Sequence, residues 1–156
     1  MTTEHKVDQP ESITDDQIYE RFVGNKYTTY YKKEFKESSF SINWAAFFFT
    51  YTWCIYRRMY MFAFLIFVSS IILDLVLSYL EVNPMMYLIY FVVMGLIGNT
   101  LYKNHADSKI SDIRNKSFLG EKFLEEVAKR GGTNPLGMWI MIILQTVLIF
   151  IVLAYA

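Results

Sequence analysis

Apolar positions along this chain gather into four blocks, and the length of each block decides what it can be. Three are long: Met59–Leu80, Pro84–Tyr102 and Gly137–Ala156. A helix rises about 1.5 Å per residue and a bilayer core takes about 20 residues to cross, so each block predicts a transmembrane helix. The first is interrupted only by Ser69, Ser70, Asp74 and Ser78, and the third carries Gln145 and Thr146. Pro84 opens the second, where its missing N–H costs little. The fourth block, Trp44–Tyr56, is too short to cross. With Arg57 and Arg58 behind it, the stretch 44–58 predicts an aromatic interfacial helix that lies flat or dips in. Trp44, Trp53 and the tyrosines suit the headgroup boundary, and the two arginines suit its phosphates.

The polar segments hold weaker periodicities. Residues 1–11 show none and read as disordered. Thr14 and Gln17 have capping-box spacing, Ile18 and Phe22 with Tyr19 and Val23 make a narrow apolar face, and Gly24 is placed to stop the helix, which predicts a short helix over about 14–23. Tyr27, Tyr30, Tyr31 and Phe35 recur at helical spacing and predict a second over about 27–37. Between the second and third spans, residues 103–136 read as a polar loop in which Ile110, Ile113, Leu124 and Val127 hint at an amphipathic helix, bent or broken at Ser117 and Gly120. Gly131-Gly132 ends it, and Asn134-Pro135 turns into the last span. The fold class that follows is an all-α membrane protein: a cytoplasmic N-terminal region (1–43), the interfacial helix (44–58) and a three-helix membrane domain (59–156).

Composition sharpens this picture. A hydrophobic share of 54% against 19% charged leaves too few polar side chains to coat a globule whose apolar stretches are continuous. Acidic and basic residues balance at 15 each, so overall charge does not point to nucleic acid. Placement is more informative than the total. No lysine or arginine falls in Glu81–Asn83 or after Gly137; all precede the first span or lie between the second and third. Basic loops stay in the cytoplasm, which puts the N-terminus and the long loop inside and the C-terminus outside. The first 43 residues do not resemble a secretory signal, so the internal helices are expected to direct insertion. The single cysteine, Cys54, cannot form an internal disulfide or a multi-cysteine metal site.

Candidate chemistry is sparse. Ser70, Asp74 and Ser78 recur every four residues and share one helical stripe. Asp74 lies about 9 Å inside the outer end of its span, where a carboxylate needs a partner, a proton or water. It reads either as a proton- or cation-handling position or as a polar stripe packed on another helix. Gln145, about 16 Å from the outer end of the third span, is within side-chain reach of Asp74 on this reckoning. Gly95, Gly98 and Asn99 favour close helix packing. His105-Ala106-Asp107 lacks a nucleophile and an orienting partner, and the other histidine, His5, lies in the tail, so His105 reads as a hydrogen-bonding or titrating group at the inner end of the second span. Cys54 reads as a small interfacial residue. Lys32, Lys33, Lys36, Arg57 and Arg58 fit anionic lipid or simple topology-setting equally well. No cofactor, metal or catalytic residue is expected; membrane lipids, and another membrane protein or a second copy, are the expected partners.

Asn43-Trp44-Ala45-Ala46-Phe47-Phe48-Phe49, followed by Tyr56-Arg57-Arg58-Met59-Tyr60, resembles the bacterial membrane-protein family DUF2628, whose pattern runs approximately NWAAFFFGPFWLLYRKMY. Phe22-Val23-Gly24, Tyr30-Tyr31, Gly98 through Tyr102, His105, Lys109-Ile110 and Gly131-Gly132-Thr133 extend the resemblance over roughly residues 20–140. It implies a bacterial inner-membrane protein of unknown function. Where the family pattern has Gly-Pro this chain has Thr50-Tyr51, which removes a breaker and favours an uninterrupted helix. The zinc ribbon of some members is missing, so no metal role is implied. These features together favour an accessory or interaction protein, with a small oligomeric transporter or channel using Asp74 as the alternative.

Overall fold

The computed structural model describes residues 13–36, 41–83, 85–116 and 118–155, and all regular structure in them is helical. The expected disorder of 1–11, the helix-opening Pro84 and the expected break at Ser117 lie outside the described residues. Helix α1 spans Asp15–Val23 and begins as its sequence predicts: Thr14 caps it, Gln17 reaches back, and Gly24 closes it at φ 78°. A π-helical turn, Tyr27–Tyr31, runs directly into α2, Lys32–Lys36. Helix α3 is Trp44–Tyr56, α4 is Tyr60–Tyr79, α5 is Met86–Arg114, α6 is Gly120–Arg130 and α7 is Pro135–Tyr155. Asn134 caps α7 through the Gly137 amide at 2.9 Å, with Pro135 in the first turn.

Three helices among the described residues are long and apolar enough to cross a bilayer: Tyr60–Tyr79, Met86–Arg114 and the stretch ending at Tyr155. The second is longer than its apolar block. The residues expected to form a loop from 103 continue α5 to Arg114, because Ala106, Ile110 and Ile113 give that extension a buried face. Against it pack α1 through Ile18 and Phe22 and α6 through Phe123, Leu124 and Val127, together with Tyr27, Tyr31 and Phe35. Most of the largest fully buried side chains, Phe22, Tyr27, Tyr102, Ile113 and Val127 among them, belong to this end of the molecule. Each such residue contributes roughly 1.5–3 kcal/mol by leaving water.

Helix α3 corrects the expectation of an unbroken interfacial helix. Thr50 takes φ 40° and ψ −111°, which divides α3 into two short arms. The first arm enters beside α5, where the Asn43 amide donates to the Gly95 carbonyl at 2.9 Å, and Phe47 reaches Phe91. Beyond the break the chain returns: Trp53 meets Tyr102, and the Tyr56 carbonyl accepts from the Asn134 amide at 2.7 Å. On α5 the contacts therefore run from Gly95 to Phe91 and back to Tyr102. Helix α3 packs against α4, α5 and α7 and is the hub of the bundle, with its two ends at the same end of the molecule.

Candidate functional site

Glycine makes the approach of α3 to α5 possible. A β-carbon at Gly98 would stand 2.6 Å from Cβ of Ala46, and one at Gly95 would stand 3.1 Å from Cβ of Phe47. Beside them Asn99, buried, accepts from Asn43 at 2.8 Å and donates to the Tyr30 hydroxyl at 3.0 Å and the Ser41 hydroxyl at 3.0 Å. The Glu34 carboxylate lies 3.2 Å from the same amide. The three residues proposed for packing thus join the N-terminal segment, α3 and α5 at one point.

Of the four residues expected among headgroups, Trp44 is 60% exposed and Arg58 half-buried, but Trp53 and Arg57 are turned inward. Trp53 is 4% exposed against Tyr102. The Arg57 guanidinium lies 4.7 Å from the ring centre of Tyr31, 4.9 Å from that of Tyr102 and 5.4 Å from that of Tyr56. These π faces offset the loss of hydration for a cation 6% exposed. Among the described residues its Nε and Nη1, and the Tyr102 hydroxyl, have no hydrogen-bond partner. Arg57 borders a cavity of about 420 Å³ with Lys26, Tyr30, Trp44 and Met138. The arginine follows α3 directly, while Tyr31 and Tyr102 are remote in sequence; no periodicity within one segment signals that they will meet.

The intramembrane polar candidates divide: Ser70 and Gln145 border one cavity, and Asp74 and Ser78 are not in its lining. Asp74 is exposed on α4 and accepts from the Tyr87 hydroxyl of α5. Gln145 instead donates to the Tyr51 hydroxyl beside the α3 break, so the expected approach of Gln145 to Asp74 does not occur. Helix α3 packs on both α4 and α7, and its Tyr51 is the group that Gln145 meets. Ser70 donates to its own helix at Phe67, 2.7 Å away, and Ser78 is exposed. A cavity of about 470 Å³ under the break is lined by Thr50, Tyr51, Ser70, Tyr87, Gln145 and Thr146, among others.

His105 packs against the rings of Phe22 and Phe62, with centroids 6.3 and 6.2 Å away. Asp107 accepts from the Tyr19 hydroxyl at 2.5 Å. Burial, and then that carboxylate, push the Tyr19 phenol above its ordinary value; burial and Asp16 do the same to Tyr27. Cys54 is completely buried. Among the described residues no group of three or more His, Cys, Asp or Glu side chains is arranged to hold a metal ion. The polar contacts of Asn99, Asp74, Gln145 and Asp107 each join one helix to another element.

The family model for a protein of unknown function, DUF2628, matches residues 12–107, well over half of the chain. The match takes in α1, the π turn, α2, α3, α4 and α5 as far as Asp107. No curated protein and no solved structure matches the chain.

Proposed function

The chain belongs to the DUF2628 family, and from that premise we propose that it is a three-span protein of the bacterial cytoplasmic membrane that works by association, as an accessory subunit of a membrane complex or as a homo-oligomer. The distribution of burial carries this reading. Of the apolar window in the last long helix 0% is buried, and of that in α4 only 11%. Trp139, Ile140, Ile143, Leu144 and Val147 on α7 all face outward. So continuous an apolar surface needs lipid, a protein partner or both to cover it. Basic side chains flank α3–α4 and α5–α7, which supports an N-terminus inside and a C-terminus outside. In this reading the docked α1, α2 and α6 offer partners a cytoplasmic face. The chain is read as non-enzymatic, since Asn43, Asn99, Tyr19, Asp107, Asp74 and Gln145 all serve contacts between helices.

Purification of the full chain in mild detergent is expected to recover a stoichiometric partner or a defined oligomer. A monodisperse lone monomer would overturn association, and a compact particle in plain buffer without amphiphile would overturn membrane insertion. The rival reading, a small transporter or channel, draws on the hydroxyl and amide side chains of Thr50, Ser70, Gln145 and Thr146 that interrupt the mainly apolar lining of the cavity below Thr50. It requires flux in liposomes that falls when Asp74 is replaced by Asn; the Tyr87 bond gives Asp74 a structural reason to exist without such flux.

A further inference from the structure

At the turn between α3 and α4 two consecutive arginines part company. Arg58 takes φ 59°, a left-handed conformation that a residue with a side chain rarely adopts. Arg57 enters the tyrosine enclosure, whereas Arg58 borders a separate open cleft of about 560 Å³. Five basic or titratable side chains converge on that cleft from two helices and the turn: Arg58 of the turn, His105 and Lys109 of α5, and Lys129 and Arg130 of α6. Tyr60 and Asn134 complete its wall, and among the described residues no carboxylate lines it.

Elsewhere near this end of the molecule, bases find acids. Lys32 and Lys36 pair with Asp16, Arg114 with Asp15 and Arg21 with Glu121. In the cleft only Lys129 has such a partner, Glu126. Arg58, Lys109 and Arg130 have none among the described residues. One arm of the Arg58 fork is held by the Lys129 carbonyl at 3.0 Å. Like charges gathered this way repel unless an anion enters, and a forked guanidinium beside ammonium groups matches phosphate oxygens. The cleft also stands where two apolar spans begin. Tyr60 starts α4, Asn134 caps α7, and Met61 and Leu136 in their first turns are exposed apolar side chains.

We propose that this cleft binds the phosphate of an anionic amphiphile, its headgroup among Arg58, Lys109 and Arg130 and its chains along the apolar faces of α4 and α7. The proposal rests on the membrane reading above. Its shared chemistry is phosphate, which a lipid headgroup or a free phosphate ester would both present; the apolar faces below the cleft favour the lipid.

The test uses the full chain in neutral detergent, with phosphatidylglycerol and phosphatidylcholine offered in equal amounts and bound lipid counted by native mass spectrometry. The parent protein is expected to prefer phosphatidylglycerol, and Lys109→Gln with Arg130→Gln to reduce that preference by about tenfold. This pair leaves the Arg58–Lys129 contact intact, and circular dichroism verifies the fold; Arg130→Gln alone, expected to give an intermediate loss, serves if the pair unfolds. Three exposed bases elsewhere, Lys33, Lys116 and Lys122, replaced together by Gln, are expected to leave the preference unchanged. An equal loss in that control, or no preference in the parent, overturns the proposal while leaving membrane insertion standing. Displacement of the lipid by glycerol phosphate at comparable concentration assigns the cleft to soluble phosphate esters and overturns the lipid assignment. Failure of the membrane reading would show separately, as solubility without detergent.

Discussion

Asn43, which caps α3, and Asn99, near the middle of α5, are joined amide to amide, Nδ2 of the first donating to Oδ1 of the second at 2.8 Å. Both are buried, and Asn43 also accepts from the Ala46 amide at 2.9 Å. Removing either side chain takes from the other its amide partner in a dry environment, at about 1–3 kcal/mol. Asn43→Ala loses the cap as well, about 1 kcal/mol more. Thermal unfolding in detergent is expected to place both Asn43→Ala and Asn99→Ala below the parent, with the double variant less damaged than the sum. Strict additivity would mean that the two amides do not depend on each other.

Gly98 admits no side chain. Gly98→Ala sets two β-carbons 2.6 Å apart and must push α3 from α5, at about 1–3 kcal/mol. Adding Ala46→Gly is expected to restore part of the lost stability. A Gly98→Ala protein that melts like the parent would show that the two backbones are not in contact.

Thr50 bears a strained backbone at φ 40°. Glycine meets no Cβ penalty there, so Thr50→Gly is expected to stabilise the protein by about 1 kcal/mol. Thr50→Ala, which keeps a β-carbon, is expected to give no such gain. Chemical denaturation followed by tryptophan fluorescence compares them, Trp53 lying in the returning arm.

Tyr102 has a stacking face and an idle hydroxyl. Its ring faces Arg57 at 4.9 Å while its buried oxygen has no partner among the described residues. Tyr102→Phe therefore keeps the cation–π contact and removes an unpaired polar group, and is expected to be neutral or stabilising. Tyr102→Leu loses the π face and is expected to cost about 1–2 kcal/mol. Equal losses in both variants would place the importance of Tyr102 in its hydroxyl.

The N-terminal segment has an acid limit. Asp16 accepts from Lys36 at 2.9 Å, Tyr27 at 2.8 Å and Lys32 at 3.0 Å, and these hold its carboxyl well below the ordinary value of 3.8. A depressed carboxylate adds stability that is complete above the unfolded value and vanishes as pH falls through the folded one. Near-ultraviolet circular dichroism of the tyrosines should thus hold steady down to about pH 5 and weaken below about pH 4. Asp16→Asn should flatten that limb; an unchanged acid transition would assign it to other groups.

Local signals were legible where a segment decides its own shape. The Thr14–Gln17 box, the stop at Gly24, the cap and proline at Asn134-Pro135 and the three long apolar helices all depend on neighbours within a turn or on continuous composition. What stayed hidden depends on distant partners. Neither Thr50 nor Tyr51 is a helix breaker, so the division of α3 is not announced locally; contacts with α4, α5 and α7 accompany it. The extension of α5 to Arg114 is polar by composition and gains its buried face only where α1 and α6 dock. Gln145 and Asp74 were compatible by depth alone, and depth takes no account of an intervening α3.

Gly131 ends α6 against the carbonyl of Phe22, in space that a β-carbon would occupy, and the next amide, Gly132, bonds that same carbonyl at 2.7 Å. Main chain thus meets main chain, so the clasp survives any change of the Phe22 ring and fails with any side chain at 131. Through it the end of α1 and the foot of α7 are mechanically coupled. A protein that pulled on the N-terminal segment would tug the last apolar helix as well.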